Sequence, residues 1–94
     1  MHEFNYAGNE LYCEKVPVRK IVLEVGTPVY IYSSSTLRNH YQAFDSAFAE
    51  IPRIVCFAVK ANSNLSILRL FAKEGGGADI VSGGELFRAL KAGI

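Results

Sequence analysis

The sequence predicts an α/β fold in which the strands run parallel, and two observations carry that expectation. From residue 36 onward the patterns alternate as helix, strand, helix, strand, helix. That order implies parallel strands joined by right-handed crossovers. Ile54-Val55-Cys56-Phe57-Ala58-Val59 is an unbroken apolar run without polar alternation, as expected of a strand buried on both faces of a parallel sheet.

Residues 1 to 27 read as irregular structure with short strands, the apolar stretches being Leu11-Tyr12-Cys13 and Ile21-Val22-Leu23. Gly26-Thr27-Pro28 is a turn signal. Val29-Tyr30-Ile31-Tyr32 is β-branched and aromatic throughout, and predicts a strand. Thr36 or Ser35 is the expected N-cap of a helix over 36–50. Leu37, Tyr41, Phe44 and Phe48 recur along one of its faces as core candidates, and Pro52 ends it. After the strand over 54–59, Lys60-Ala61-Asn62-Ser63 breaks the run. Asn64 or Ser63 caps a second helix with Leu65, Leu68 and Ala72 on one stripe and Ile67, Leu70 and Phe71 beside it. Gly75-Gly76-Gly77 stops it. Ala78-Asp79-Ile80-Val81-Ser82 predicts a second strand, Gly83-Gly84 turns the chain, and Glu85 to Ala92 forms a third helix stopped by Gly93. The final Lys91-Ala92-Gly93-Ile94 puts an apolar residue after a helix-stopping glycine, which reads as the start of a further element. Two strands cannot cover themselves, so either further residues complete a barrel or an open sheet, or these residues are not stable alone.

Composition narrows the function classes. The 94 residues carry a formal net charge of +1, 50% hydrophobic and 20% charged residues, a globular and not a disordered balance. The basic residues are dispersed, with no run fitted to a nucleic-acid backbone. Cys13 and Cys56 are too few for a disulfide framework and match no zinc spacing, so two reduced thiols are expected. The start, Met1-His2-Glu3-Phe4-Asn5-Tyr6, has neither the basic nor the apolar region of a signal peptide. No apolar run approaches the roughly 20 residues of a membrane helix. A cytoplasmic protein that binds neither nucleic acid nor membrane is expected.

Ligands in parallel α/β folds bind where strands end at their C-termini. Lys60 with Asn62 ends the first parallel strand, and Asp79 to Glu85 ends the second. Neighbouring strands lie about 4.8 Å apart, so Lys60 and Asp79 can face one pocket. A lysine directly after six apolar residues is expected to keep its stem in or near the core. Schiff-base chemistry needs a neutral amine, which low-dielectric surroundings favour, and Asp79 or Glu85 would hold or relay protons. The competing reading is a surface lysine that snorkels past the strand end. Asn62 and Asn64 fit turn and cap roles. The Gly75 cluster matches neither dinucleotide nor P-loop spacing. Gly83-Gly84 could offer N–H groups to an anion or simply allow tight packing. His2 and His40 are isolated.

Several of these segments together resemble a known family. Phe57-Ala58-Val59-Lys60-Ala61-Asn62-Ser63-Asn64 resembles the cofactor-lysine segment of the diaminopimelate decarboxylases. Gly77-Ala78-Asp79-Ile80-Val81-Ser82-Gly83-Gly84-Glu85-Leu86 resembles their next signature, and Ala89-Leu90-Lys91-Ala92-Gly93 continues it. Gly26-Thr27-Pro28-Val29-Tyr30-Ile31-Tyr32 is similar to the segment before their barrel. The resemblance covers about residues 24 to 94.

It implies a fold-type III pyridoxal 5′-phosphate (PLP) enzyme, with a TIM-like (β/α)8 barrel and a separate β domain. Residues 1–35 would belong with the β domain and 36–94 would open the barrel, incomplete in this chain. Lys60 would carry PLP, Ala58 would lie beside it, and Asp79 and Glu85 would line the site. The implied reaction converts meso-2,6-diaminopimelate to L-lysine and CO₂, in lysine biosynthesis, by a homodimer with active sites at the subunit interface. The family's phosphate-binding glycine loops, pyridine-facing carboxylate, substrate arginine and interface cysteine fall outside these residues, so the 94 residues alone are expected to be inactive. An ornithine or arginine decarboxylase, an alanine racemase, a non-catalytic PLP-binding barrel protein and a cofactor-free interaction domain remain as alternatives.

Overall fold

The computed structural model describes residues 2–94. In chain order the elements are β1 (Phe4–Ala7), β2 (Glu10–Cys13), β3 (Val16–Pro17), α1 (Val18–Val25), α2 (Ser34–Ala47), β4 (Cys56–Ala58), a 3₁₀ turn (Val59–Ala61), α3 (Leu65–Lys73), β5 (Gly77–Asp79) and α4 (Gly83–Ala92). Backbone contacts divide the chain into two compact units, one ending at Asn39 and the other spanning His40–Ile94.

In the first unit, β1, β2 and β3 form an antiparallel meander, with Phe4 opposite Cys13 and Cys13 opposite Val16. Glu14, in the tight turn between β2 and β3, adopts a left-handed φ of 56°. Its N–H donates to the Glu3 carbonyl at 2.7 Å. Its carboxylate accepts from the Ser33 hydroxyl at 2.8 Å, the Ser35 N–H at 3.2 Å and the Ser35 hydroxyl at 3.1 Å. An acidic group thus reaches from the meander to the start of α2, where exposed N–H groups favour a negative charge. Those donors, the Ser33 hydroxyl foremost and then the Ser35 N–H, hold the Glu14 carboxyl below its ordinary value. Cys13 is buried beside it, and burial, then Glu14 and Glu3, pushes its thiol up. The thiolate, the reactive form, is disfavoured there.

Three sequence expectations are corrected in this region. Ile21-Val22-Leu23 is helical, not extended. Val18, Ile21 and Val22 stand at helical spacing and are the half-buried residues of α1, so the 3.6-residue period outweighs their β-branched character. Val29-Tyr30-Ile31-Tyr32 joins no ladder among the described residues. Strand propensity supplies no hydrogen-bonding partner, and Tyr30 and Tyr32 stay exposed. The cap of α2 is Ser33, whose hydroxyl accepts from the Thr36 N–H at 3.1 Å. The helix therefore begins two residues earlier than expected and ends at Ala47, with turns to Glu50.

In the second unit, β4 and β5 pair in parallel, with Cys56 opposite Gly77, Phe57 opposite Ala78, and Ala58 opposite Asp79. The α/β alternation expected from residue 36 is present. The strand is shorter than the expected 54–59 run, because Ile54 and Val55 precede the ladder and Val59 turns into the 3₁₀ segment. Val59 and Leu68, both at 0% exposure, and Ala92 form the core, with Phe57, Leu65, Ala78, Ile80 and Ile94 packed around them. Burying a Val or Leu side chain contributes about 1.5–3 kcal/mol. Phe57 stacks on Phe71 of α3, with ring centroids 4.6 Å apart. Phe57 and Ala78 therefore face the α3 and α4 layer. By the two-residue alternation of strands, Cys56, Ala58 and Asp79 face the other side.

Local signals set the ends of the helices. Asn64 caps α3 by accepting from the Ser66 N–H at 2.9 Å. After α3, Gly76 is closely packed: a Cβ there would press on the Phe71 carbonyl oxygen and the Tyr41 ring at 3.1 Å each. Ser82 caps α4, its hydroxyl accepting from the Glu85 N–H at 3.1 Å. Gly93, at φ 100°, takes the left-handed closing position, where the Ile94 N–H bonds back to Ala89 at 3.0 Å. The expected aromatic stripe of α2 is only partly a core. Tyr41 packs on Phe71 at 6.0 Å, but Phe44 and Phe48 pair with each other at 5.5 Å and remain 59% and 44% exposed. No element within the unit covers that end of the helix.

Candidate active site

The 3₁₀ turn that follows β4 carries Lys60. Val59 is fully buried beneath it, while Lys60 itself is exposed. The expectation that its stem lies in or near the core is corrected. The short strand hands over to a tight turn, so residue 59 takes the inward position and residue 60 points to solvent. Among the described residues, no hydrogen bond or ion pair engages the Lys60 ammonium.

The turn around Lys60 is bonded residue by residue. The Asn62 N–H donates to the Val59 carbonyl at 3.1 Å. The Asn64 N–H donates to Asn62 Oδ1 at 3.0 Å, and Asn64 caps α3. From α4, Arg88 Nη1 donates to the Ser63 carbonyl at 3.2 Å. Asn62 and Asn64 thus act as turn and cap residues, as expected. Arg88 was not singled out in the sequence, because 25 residues separate it from Ser63 and no local pattern links them.

Of the other candidate residues, Ala58 and Asp79 stand opposite each other at the C-terminal ends of β4 and β5, on the face turned away from the helices. Ala58 is half-buried and Asp79 exposed. Glu85 lies on the first turn of α4, and its Oε1 accepts from the Val81 N–H at 3.0 Å. With the Ser82 cap, this closes the helix start as a variant of the capping box, the carboxylate reaching the N–H one residue before the cap. The structure therefore brings Ala58 and Asp79 into register, puts Lys60 two residues past Ala58, and gives Glu85 a bond that fixes the loop after β5. Cys56 shares the Ala58 face and is exposed; both cysteines are free. Among the described residues no cluster of side chains suits a metal ion, and no helix is long and apolar enough to cross a membrane.

Two parallel strands flanked by helices, with a lysine just past the end of one and a carboxylate at the end of the other, place the chain in the class of α/β folds, which bind ligands at strand ends. Residues 34–94 match the family model described as "Pyridoxal-dependent decarboxylase, pyridoxal binding domain". The chain belongs to this pyridoxal-dependent decarboxylase family, whose cofactor is pyridoxal phosphate. It is similar to the diaminopimelate decarboxylase of Haemophilus influenzae, at 52% identity over 99% of this chain and 22% of that protein. The diaminopimelate decarboxylase of Pseudomonas fluorescens is 50% identical over the same shares. Among solved structures, a crystal structure from Aquifex aeolicus matches with a TM-score of 0.92 and 42% identity, over 98% of this chain and 23% of that one. The diaminopimelate decarboxylase of M. jannaschii in complex with L-lysine matches with a TM-score of 0.90 and 34% identity, over 95% and 22%. The chain spans about 22% of the length of the curated relatives it matches.

The residues fit this cofactor. An aldehyde-bearing ring needs a primary amine that no carboxylate already holds, and Lys60 offers one. It also needs room at the strand end, and Ala58, the last residue of β4, carries only a methyl group. Asp79, one strand over and in register with Ala58, would be a polar group at the same level.

Proposed function

We propose that this chain is the lysine-bearing segment of an enzyme that decarboxylates meso-2,6-diaminopimelate to L-lysine and CO₂. The observation that carries the reading is Lys60, uncommitted and exposed, just past the end of a parallel strand whose neighbour ends in register on Asp79. The names of the relatives, and the L-lysine bound in the M. jannaschii structure, support the substrate. In this reading residues 1–35 belong with a β domain, and 36–94 open a TIM-like barrel. The full-length enzyme is a cytoplasmic homodimer.

When bound, pyridoxal phosphate supplies an electron sink for the pair left behind by departing CO₂. Lys60 binds the cofactor through its Nζ. Its Nζ would also hold and move a proton beside the reacting carbon. Ala58 keeps the space next to the cofactor open. The Asp79 carboxylate orients polar groups from the adjacent strand. Glu85 fixes the loop after β5 and so sets where Asp79 stands.

The test is borohydride trapping on the full-length protein loaded with PLP, followed by peptide mapping. One pyridoxyl label is expected, on the peptide containing Lys60, and it is lost in Lys60→Ala together with CO₂ release. A label elsewhere, with Lys60 unmodified, refutes the assignment. A panel of diaminopimelate, ornithine, arginine and alanine then reads the substrate, and preferential turnover of anything but diaminopimelate overturns that part.

A further inference from the structure

Lys60 is exposed on a three-residue turn, and an exposed side chain on a short turn is aimed only as well as the turn itself is held. The entry side is fixed by packing, since Val59 is fully buried against Leu68 and Ala92. The exit side is held by polar bonds. Two of these are local: Asn62 N–H to Val59, and Asn64 N–H to Asn62 Oδ1. Both travel with the turn and cannot fix it against the rest of the unit. Asn64 joins the turn to α3 as its cap. The remaining bond reaches across 25 residues, from Arg88 Nη1 on α4 to the Ser63 carbonyl at 3.2 Å. The same helix supplies Ala92 beneath Val59 and carries Glu85, which fixes the loop after Asp79 through Val81.

From this we propose that Arg88 is a positioning residue for Lys60. Its guanidinium ties the exit of the lysine turn to α4, the helix whose first turn also fixes the loop after Asp79, so that Lys60 and Asp79 are referred to one rigid element. The inference rests on the assignment of Lys60 as the cofactor lysine. Arg88 touches neither cofactor nor substrate in this scheme; it acts through the Ser63 carbonyl. A charged donor on a carbonyl is worth more than a neutral one, and the bond is exposed. An effect of about fivefold is therefore expected, since 1.4 kcal/mol corresponds to tenfold.

The test compares the full-length wild type with Arg88→Met, which keeps the stem and removes the donors, and Arg88→Lys, which keeps one. The first readout uses the apoenzyme: amide hydrogen exchange of the peptide covering 59–66, and the rate at which Lys60 is acylated by an amine-specific reagent. The second uses the PLP-loaded enzyme: the absorbance band of the lysine-bound cofactor, and kcat and KM separately. In Arg88→Met, exchange at 59–66 is expected to rise while the β1–β3 peptides stay unchanged. The acylation rate of Lys60 should change about fivefold, the absorbance band should shift or broaden, and kcat should fall about fivefold with KM within about twofold. Arg88→Lys should recover part of each change. If wild-type Lys60 is labelled by PLP and borohydride but Arg88→Met matches wild type in exchange, acylation and spectrum, the positioning role is wrong. The same holds if exchange rises across the whole protein and Arg88→Lys recovers nothing, because that pattern is general destabilisation. If wild-type Lys60 takes no label at all, it is the underlying assignment that fails.

Discussion

At the scale of single residues, Lys60 and Glu14 were not equally visible. Lys60 stood out because a cation directly after six apolar residues breaks a simple local pattern. Its placement at a strand end followed from parallel topology, although its exposure did not. Glu14 gave no signal, since a glutamate in a polar turn is ordinary. Its left-handed backbone and its bonds to Ser33 and Ser35, about 20 residues away, exist only in three dimensions. The depressed Glu14 carboxyl carries a pH dependence whose sign can be worked out. A carboxyl whose folded value lies below its unfolded value stabilises the fold while ionised. That contribution is complete above the ordinary glutamate range near pH 4.3. It declines as pH falls through that range, and is gone below the folded value. In the full-length protein, Glu14→Gln is therefore expected to lower the melting temperature at pH 7. The gap from wild type should close on acidification toward pH 3. A gap that is constant with pH, or that widens in acid, would show that the charge on Glu14 does not hold the start of α2.

At the scale of elements, the second unit was read with more success than the first. The signals that bound α3 and close α4 are local: Asn64 as a cap, Gly75 to Gly77 and Gly93 as stops, and each lies within a few residues of the groups it serves. Ser82 is different: expected at the end of a strand over 78–82, it caps α4 instead, and β5 covers only Gly77–Asp79. The signals in residues 18–32 are not local in that sense. Ile21 to Leu23 and Val29 to Tyr32 are rich in β-formers, and a β-former becomes a strand only where another strand offers a ladder. α1 instead takes the helical period of Val18, Ile21 and Val22. Within the second unit the element that supports the site is α3, through Leu68. Its side chain is fully buried against Val59, directly under the Lys60 turn. Leu68→Ala is expected to cost about 2–5 kcal/mol by leaving a cavity there, read as a shift in the denaturation midpoint of the full-length protein. Hydrogen exchange should rise first in the 59–66 peptide. A loss under about 1 kcal/mol, the range of tolerated volume-conserving changes, would mean that this core cluster does not support the turn.

At the scale of the whole molecule, the residues that carry the site are coupled to a small core. In the second unit the buried side chains are few, and the two-stranded sheet is covered by helices on one face only, so its core is small for its length. Large apolar side chains stay open in the loop after β5 and on α4: Val81 at 75% exposure, Phe87 at 67% and Leu90 at 63%. Apolar side chains left open in this number are a liability to associate. The 94 residues produced alone are therefore expected to bind a hydrophobic dye, to exchange their amides quickly at β4 and β5, and to release no CO₂ from diaminopimelate. The last follows from the site: Lys60 and Asp79 lie open to water, whereas electrostatic catalysis needs charges held where water is excluded. Full-length protein should show the opposite of all three. A dye-silent 94-residue monomer with slow exchange at β4 and β5 would mean that this small core suffices. Release of CO₂ by that monomer would mean that the chemistry needs nothing beyond the residues that surround Lys60.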